Sequence, residues 1–214
     1  MKTISLLLLS LILIIEIHAQ NKNNSTLKID LKGARFVHIK LEGKIILENT
    51  TSSKMIIDYS SEKSGHIIGL SNEEEIKPYN IISRLDGDEV IIQPVKREKM
   101  WSIGINTYNE KNIHYLHIPS NINIIIETHS GDVSINGSFP FIKVNNVEGK
   151  TAISTKRNSY KFIECVSKEG NVDLNDEETG KKLTLLGNGN KVIIVNSKEG
   201  EIDLHLLPEE NHVN

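Results

Sequence analysis

SKEGNVDL occupies residues 167–174, and SKEGEIDL occupies residues 197–204. The copies differ only at Asn171/Glu201 and Val172/Ile202. Around each copy the same pattern extends in both directions, and the Gly inside it serves as a ruler. Four such glycines stand at Gly131, Gly149, Gly170 and Gly200. Two and four residues after them lie Val133/Ile135, Thr151/Ile153, Val172/Leu174 and Ile202/Leu204. Five and seven residues before them lie Ile126/Ile124, Val144/Ile142, Cys165/Ile163 and Val195/Ile193. Of these positions only Thr151 is not apolar. Residues two apart share one face of a strand. Each Gly therefore marks a corner between two short strands that turn the same face inward.

The inward pairs begin at 124, 133, 142, 151, 163, 172, 183, 193 and 202, with Leu183/Leu185 as the extra pair between the third and fourth rulers. Steps of nine to twelve residues fit one short strand and one tight turn. Turn-forming stretches such as HSGD, NVEGK, DEETGK and GNGNK fill the intervals. An antiparallel sandwich has similar strand spacing. A β-solenoid also explains why one residue returns at one corner, because stacked coils give equivalent positions equivalent neighbours. The expected fold is thus all-β, a single-chain β-solenoid of short strands with Gly/Asn corners, and a β-sandwich is the alternative. The SKEG copies are three strand units apart, which suits a three-sided coil, whereas Gly131 and Gly149 are two units apart, which suits a two-sided one.

A fainter version continues toward the N-terminus. LEGKIILEN (41–49) has Gly43 followed by Ile45 and Leu47, and LDGDEVIIQP (85–94) has the form with one residue added after Gly87. Ile103/Ile105 and Leu116/Ile118 are further candidate inward pairs. Residues 60–80 and 95–112, the latter holding Trp101, break the rhythm and read as excursions or irregular coils. The expected organisation is a signal peptide at 1–19, irregular N-terminal β coils at 20–115, a regular β-repeat region at 116–207 and a polar tail at 208–214. A separate small N-terminal β domain is the alternative for the first half.

The start of the chain, MKTISLLLLSLILIIEIHAQ, has one Lys, an apolar run from Leu6 to Ile15, and small Ala19 two residues after Ile17. This is the tripartite form of a secretory signal peptide, with cleavage expected between Ala19 and Gln20. The apolar run is short for a membrane span of roughly 20 residues, and no Cys follows it to accept a lipid. Cys165 is the single Cys, so an exported chain has no internal disulfide. A net charge of −3 gives nucleic acid and anionic lipid little to attract.

Residues 117–137, HIPSNINIIIETHSGDVSING, followed by S-x-x-G-x-[VI]-x-L units, resemble the adhesin-type family of bacterial β-strand-repeat envelope proteins, a domain of unknown function. Ile118-Pro119 and Ser130-Gly131-Asp132-Val133 match its strand and corner signatures. The resemblance extends from Leu27 to Leu206 and is carried by the residues after Leu116. It implies a β-solenoid, export to the periplasm or cell surface of a bacterium, no established enzymatic activity and a role in envelope-stress sensing. It supplies no catalytic residues.

The residues themselves offer little chemistry. His114 and His117 lie three apart in a predicted strand and so face opposite ways, a poor metal pair. No His-x-x-x-His, Cys-x-x-Cys or phosphate-binding loop is written. GNGNK (187–191) has Lys where a calcium-binding glycine repeat needs Asp, and reads as a turn. Cys165 is at an inward position and reads as a small core residue. The best case for catalysis is Asp173 and Asp203, equivalent outward residues of the two SKEG copies. In adjacent coils they would face each other at about 5 Å, as calcium or a sugar could use. Aromatics amount to 5% and are scattered, which argues against an aromatic-lined groove for stacking sugars. The expectation is no catalytic, cofactor-binding or metal residues. The function expected is a non-enzymatic, adhesin-like binding or scaffold module meeting an envelope protein or glycan. A small carbohydrate-active enzyme using outer-face carboxylates is the competing reading.

Overall fold

The computed structural model describes residues 16–71, 79–96 and 102–208. The Ile- and Val-rich alternation folds into strands throughout, because β-branched side chains pack well on a pleated surface. The N-terminal half gives β1 (Glu16–Asp30), β2 (Phe36–Lys40), β3 (Lys44–Thr50), β4 (Lys54–Ser71), β5 (Ile81–Asp86), β6 (Glu89–Pro94) and β7 (Ser102–Pro119). The rest gives β8 (Asn123–Ser130), β9 (Val133–Asn136), β10 (Phe141–Glu148), β11 (Thr151–Lys156), β12 (Tyr160–Ser167) and β13 (Val172–Leu174). β14 (Glu177–Gly180), β15 (Lys182–Leu186), β16 (Lys191–Ser197) and β17 (Ile202–Leu207) complete it. They form two mixed, open sheets. One has the order β1-β4-β7-β3-β9-β11-β17-β13-β14, the other β15-β12-β16-β10-β8-β2-β6-β5.

Each ruler glycine carries the chain from the eight-stranded sheet to the nine-stranded one: β2 to β3 at Gly43, β8 to β9 at Gly131, β10 to β11 at Gly149, β12 to β13 at Gly170, β16 to β17 at Gly200. The layer formed by each such pair stacks in parallel register on the next. The corners meet so closely that a Cβ on Gly131 would collide with the Gly43 carbonyl, one on Gly149 with Gly131, one on Gly200 with Gly149, and one on Gly170 with Gly200. Stacking order is therefore not chain order. The β16/β17 layer, last in sequence, lies between β10/β11 and β12/β13. This resolves the conflicting spacings. The SKEG layers are neighbours, and the two strands that intervene in sequence, β14 and β15, turn back antiparallel to β13 and β12 at the sheet edges.

The residue three before each of four glycines is polar and buried: Thr128, Asn146, Ser167 and Ser197. Asn146 Nδ2 donates to the carbonyls of Gly131 and Gly149 at 3.1 Å, and Ser167 Oγ donates to Gly200 at 2.8 Å. Ser197 Oγ accepts from the Gly200 amide at 2.9 Å. These side chains satisfy corner backbone groups that no ladder reaches. The Gly43 corner is one residue shorter, and the carboxylate of Glu42 fills the gap. It accepts from the amides of Ser130 at 2.8 Å and His129 at 3.2 Å.

Fifteen of the sixteen inward positions are buried; Leu174 is only partly so, because β13 stands one strand from the end of its sheet. Ile45, Leu47, Leu116 and Ile118 are buried as expected. One hydrophobic cluster runs from Ile29 to Leu204. Gly87 is not a corner. It turns the hairpin between β5 and β6 within one sheet, with open space around it. The expected excursions include the long strands β4 and β7, which pair antiparallel from Ile56↔His117 to Ser71↔Ser102. Trp101 and the side chains of Ile103 and Ile105 lie outside the described residues. The expected cleavage between Ala19 and Gln20 falls inside β1, so it would remove the pairing of Glu16–Ala19 with Gly65–Ile68.

Candidate binding faces

With one side of each strand in the core, the other side faces out, and the register sets outward residues in rows across the sheets. On the nine-stranded sheet one row runs Tyr115, Ile46, Ser134, Ala152, Asp203, Asp173, Glu178. The two SKEG aspartates are thus register partners on adjacent strands. Asp203 is largely covered, and its Oδ2 pairs with Lys150 Nζ, while Glu201 Oε2 is 3.9 Å from the same nitrogen. The hydrogen bond to Asp203, with the nearby charges of Asp203, Glu201 and Asp173, raises Lys150 above its ordinary range against the opposing effect of desolvation. Lys150 therefore stays charged and sets a cation of the chain itself against the aspartate pair. Among the described residues no three His, Cys, Asp or Glu side chains gather so as to hold a metal ion.

The eight-stranded sheet presents a different outer face. Its first row runs Glu89, Phe36, Asn123, Phe141, Val192, Phe162, Leu186, with Phe141 set level with Asn123 by the Ile142↔Ile124 pair that follows them. Three of the four Phe of the chain stand in this row; the fourth, Phe139, is in the core. Phe36, Phe141 and Phe162 are half-buried, and Leu186 is 84% exposed. Strands lie roughly 4.8 Å apart, so each ring is about 9–10 Å from the next with one side chain between. The adjoining row contains His38, Ile125, Lys143, Ile194 and Glu164, and the one beyond contains Glu127, Asn145 and Asn196. Most charges in these rows are paired within the face. His38 Nδ1 meets Glu89 at 2.8 Å and Nε2 meets Glu127 at 3.2 Å, Lys40 meets Glu127 at 3.5 Å, and Lys182 meets Glu164 at 2.9 Å. Burial pulls the Glu127 carboxyl up, but His38 and Lys40 pull it down further, leaving it below the usual carboxylate range.

Along the sequence the aromatics are scattered; the strand order aligns three of them. A signal was present. Asn123, Phe141, Phe162 and Val192 each stand eight residues before a ruler glycine, and Phe36 stands seven before Gly43, whose corner is one residue short.

Two buried reactive groups are quiet. Cys165 is fully buried, and desolvation pushes its thiol up to about 12, so it is a protonated core residue. His114 is fully buried at the corner side of β7. Its Nε2 is 3.0 Å from the Glu42 carbonyl, and its ring lies 5.6 Å from that of Tyr79. Desolvation holds it below the ordinary histidine range, only partly offset by that hydrogen bond. His117 points the other way on β7, 3.9 Å from Glu48, so the two do not converge. An open hollow of about 440 Å³ lies among Arg157, Tyr160, Leu185, Leu186 and Leu206, with no carboxylate in its lining. No helix among the described residues is long and apolar enough to cross a membrane.

No family model matches the chain, and no curated protein matches it. Two solved structures are similar to it over most of their length. A candidate cell adhesion protein from Clostridium sporogenes is 14% identical, with 87% of this chain and 100% of that one covered and a TM-score of 0.48. A candidate adhesin from Bacteroides fragilis is 11% identical, with 86% of this chain and 98% of that one covered and a TM-score of 0.37. At these values neither protein speaks to what this chain does.

Proposed function

We propose that the chain is an exported, non-enzymatic binding module of the bacterial envelope, a two-sided β-solenoid that engages its partner through the outer face of the eight-stranded sheet. The observation that carries this reading is the row of Phe36, Phe141, Val192, Phe162 and Leu186 on a solvent-facing sheet. Aromatic rings on a surface favour recognition, because each offers a large contact area at small entropic cost. Placing the mature start near Gln20 in the periplasm or on the cell surface rests on the sequence of the leader. A role in sensing envelope stress would be a special case of binding.

The competing reading, a carbohydrate-active enzyme, draws on the register of Asp173 and Asp203. Against it, Lys150 is seated on Asp203, and catalysis needs acid and base to converge where a substrate can enter. Two folded variants separate the readings. Phe36→Ser/Phe141→Ser/Phe162→Ser should lose retention on bacterial envelope fractions, and Asp173→Asn/Asp203→Asn should keep it. Turnover of envelope glycan by the parent chain that disappears in the double aspartate variant would establish the enzyme instead.

A further inference from the structure

The geometry points to an extended, β-1,4-linked polysaccharide as the partner of the Phe row, with Phe141 and Phe162 stacking on alternate sugar rings and Phe36, whose ring carries the Arg35 guanidinium 5.8 Å from its centroid, extending the row. This rests on the binding-face reading above and adds the chemistry of the ligand. Protein-binding hot spots gather their aromatics into one central, desolvated cluster. Here the rings are set in a line. Asn123 separates the first from the second, and Val192 separates the second from the third. A line of equally spaced rings suits a ligand that repeats with the same spacing. In an extended β-1,4 chain, alternate sugars turn the same face toward a surface, and the disaccharide repeat is close to two strand spacings, about 9–10 Å. The axial C–H groups of a pyranose would lie on the electron-rich ring faces.

The neighbouring rows suit the rest of such a ligand. Lys143 makes no ion pair among the described residues, and Asn145 and Asn196 are hydrogen-bonded to each other at 3.2 Å with further donors and acceptors free. These can meet hydroxyl and acetamido groups along one flank of the chain. His38, Lys40 and Lys182 are paired with carboxylates of the face, which leaves an anionic lipid surface or nucleic acid little basic field there.

The test uses the full exported chain and soluble oligosaccharides of N-acetylglucosamine and of glucose, titrated calorimetrically. The hexasaccharide of at least one series should bind, and its disaccharide, which spans a single ring, should bind at least about tenfold more weakly. Phe141→Ala, which removes the central ring, should weaken hexasaccharide binding by about tenfold or more, and Phe141→Tyr should restore it. Circular dichroism should show both variants folded at the temperature of the titration, since the half-buried Phe141 ring lies on the outer face and outside the core cluster. Hexasaccharides that bind no better than disaccharides, or equally well with Phe141→Ala, would overturn the inference. If neither series binds but Phe141→Ala still abolishes retention on envelope fractions, the ligand class is wrong and the binding face stands. If the variant keeps that retention, the face itself is wrong.

Discussion

Gly200 is required by its neighbour and not by its own backbone angle. A methyl group there would enter the Gly149 carbonyl, which belongs to the ladder of stacked corners and cannot move alone. Gly200→Ala should therefore cost about 2–3 kcal/mol, as overpacking does. Glu169→Ala, at an exposed corner position, should stay within about 0.5 kcal/mol; urea midpoints of the two variants decide it. His114 makes a prediction about pH. Its folded pKa lies below the unfolded value of roughly 6.5, so above that pH both states are neutral and the residue adds no slope. As pH falls below it, the unfolded chain takes up a proton that the folded chain resists, and stability drops until the folded pKa is passed. Urea midpoints at about pH 7.5 and about pH 5.5 should thus differ more for the parent chain than for His114→Gln. A variant as pH-sensitive as the parent would show that the loss arises elsewhere.

Among elements, β13 and β17 carry the same SKEG pattern at different depths in one sheet. Leu204 is buried between two neighbouring strands, while Leu174, one strand from the edge, is half-covered. Leu204→Ala should cost about 2–5 kcal/mol and Leu174→Ala less, whereas Asp173→Ser, facing out, should stay within about 0.5 kcal/mol. Chemical denaturation of the three variants gives the ranking, and equal losses for Leu204 and Asp173 would mean the inward and outward faces are exchanged. What was legible in the sequence follows the same logic. Period-two alternation beside Ser130-Gly131 or Ser197-x-x-Gly200 is local, and it revealed the inward residues and the corners. Which layer lies beside which was not legible, because Ile124, Ile142 and Ile193 present the same side chain to any parallel neighbour. The Phe row was hidden for that reason. The β4–β7 ladder was hidden by composition, since stretches such as SSEKSG and NTYNEKN lack alternation and hold strand form through backbone pairing. Gly87 misled because a hairpin turn and a corner both call for Gly before an apolar strand.

At the scale of the whole molecule, the interleaved order makes the last layer a structural keystone. Without β16 and β17, the strands β10 and β12, and likewise β11 and β13, would face each other across an empty slot. A chain ending at Leu186 should therefore lose cooperative unfolding by circular dichroism, and a peptide spanning residues 188–207 should restore it when added. A truncated chain that still unfolds cooperatively would mean that the β12/β13 layer can dock directly on β10/β11. Pairing between strands so distant in sequence also predicts slow folding relative to domains built from local contacts.

The position of β17 has a mechanical consequence. It lies between β11 and β13 and runs parallel to both, so its ladder is made on two sides. Tension drawn along the chain from Leu207 loads those hydrogen bonds together, in shear, where a peeled strand would break them in succession. β1, whose one ladder partner among the described residues is β4, lacks that second row of bonds. Under a pull on both ends, the outer ribbon should yield as a fuse while the layers that carry the Phe row stay intact.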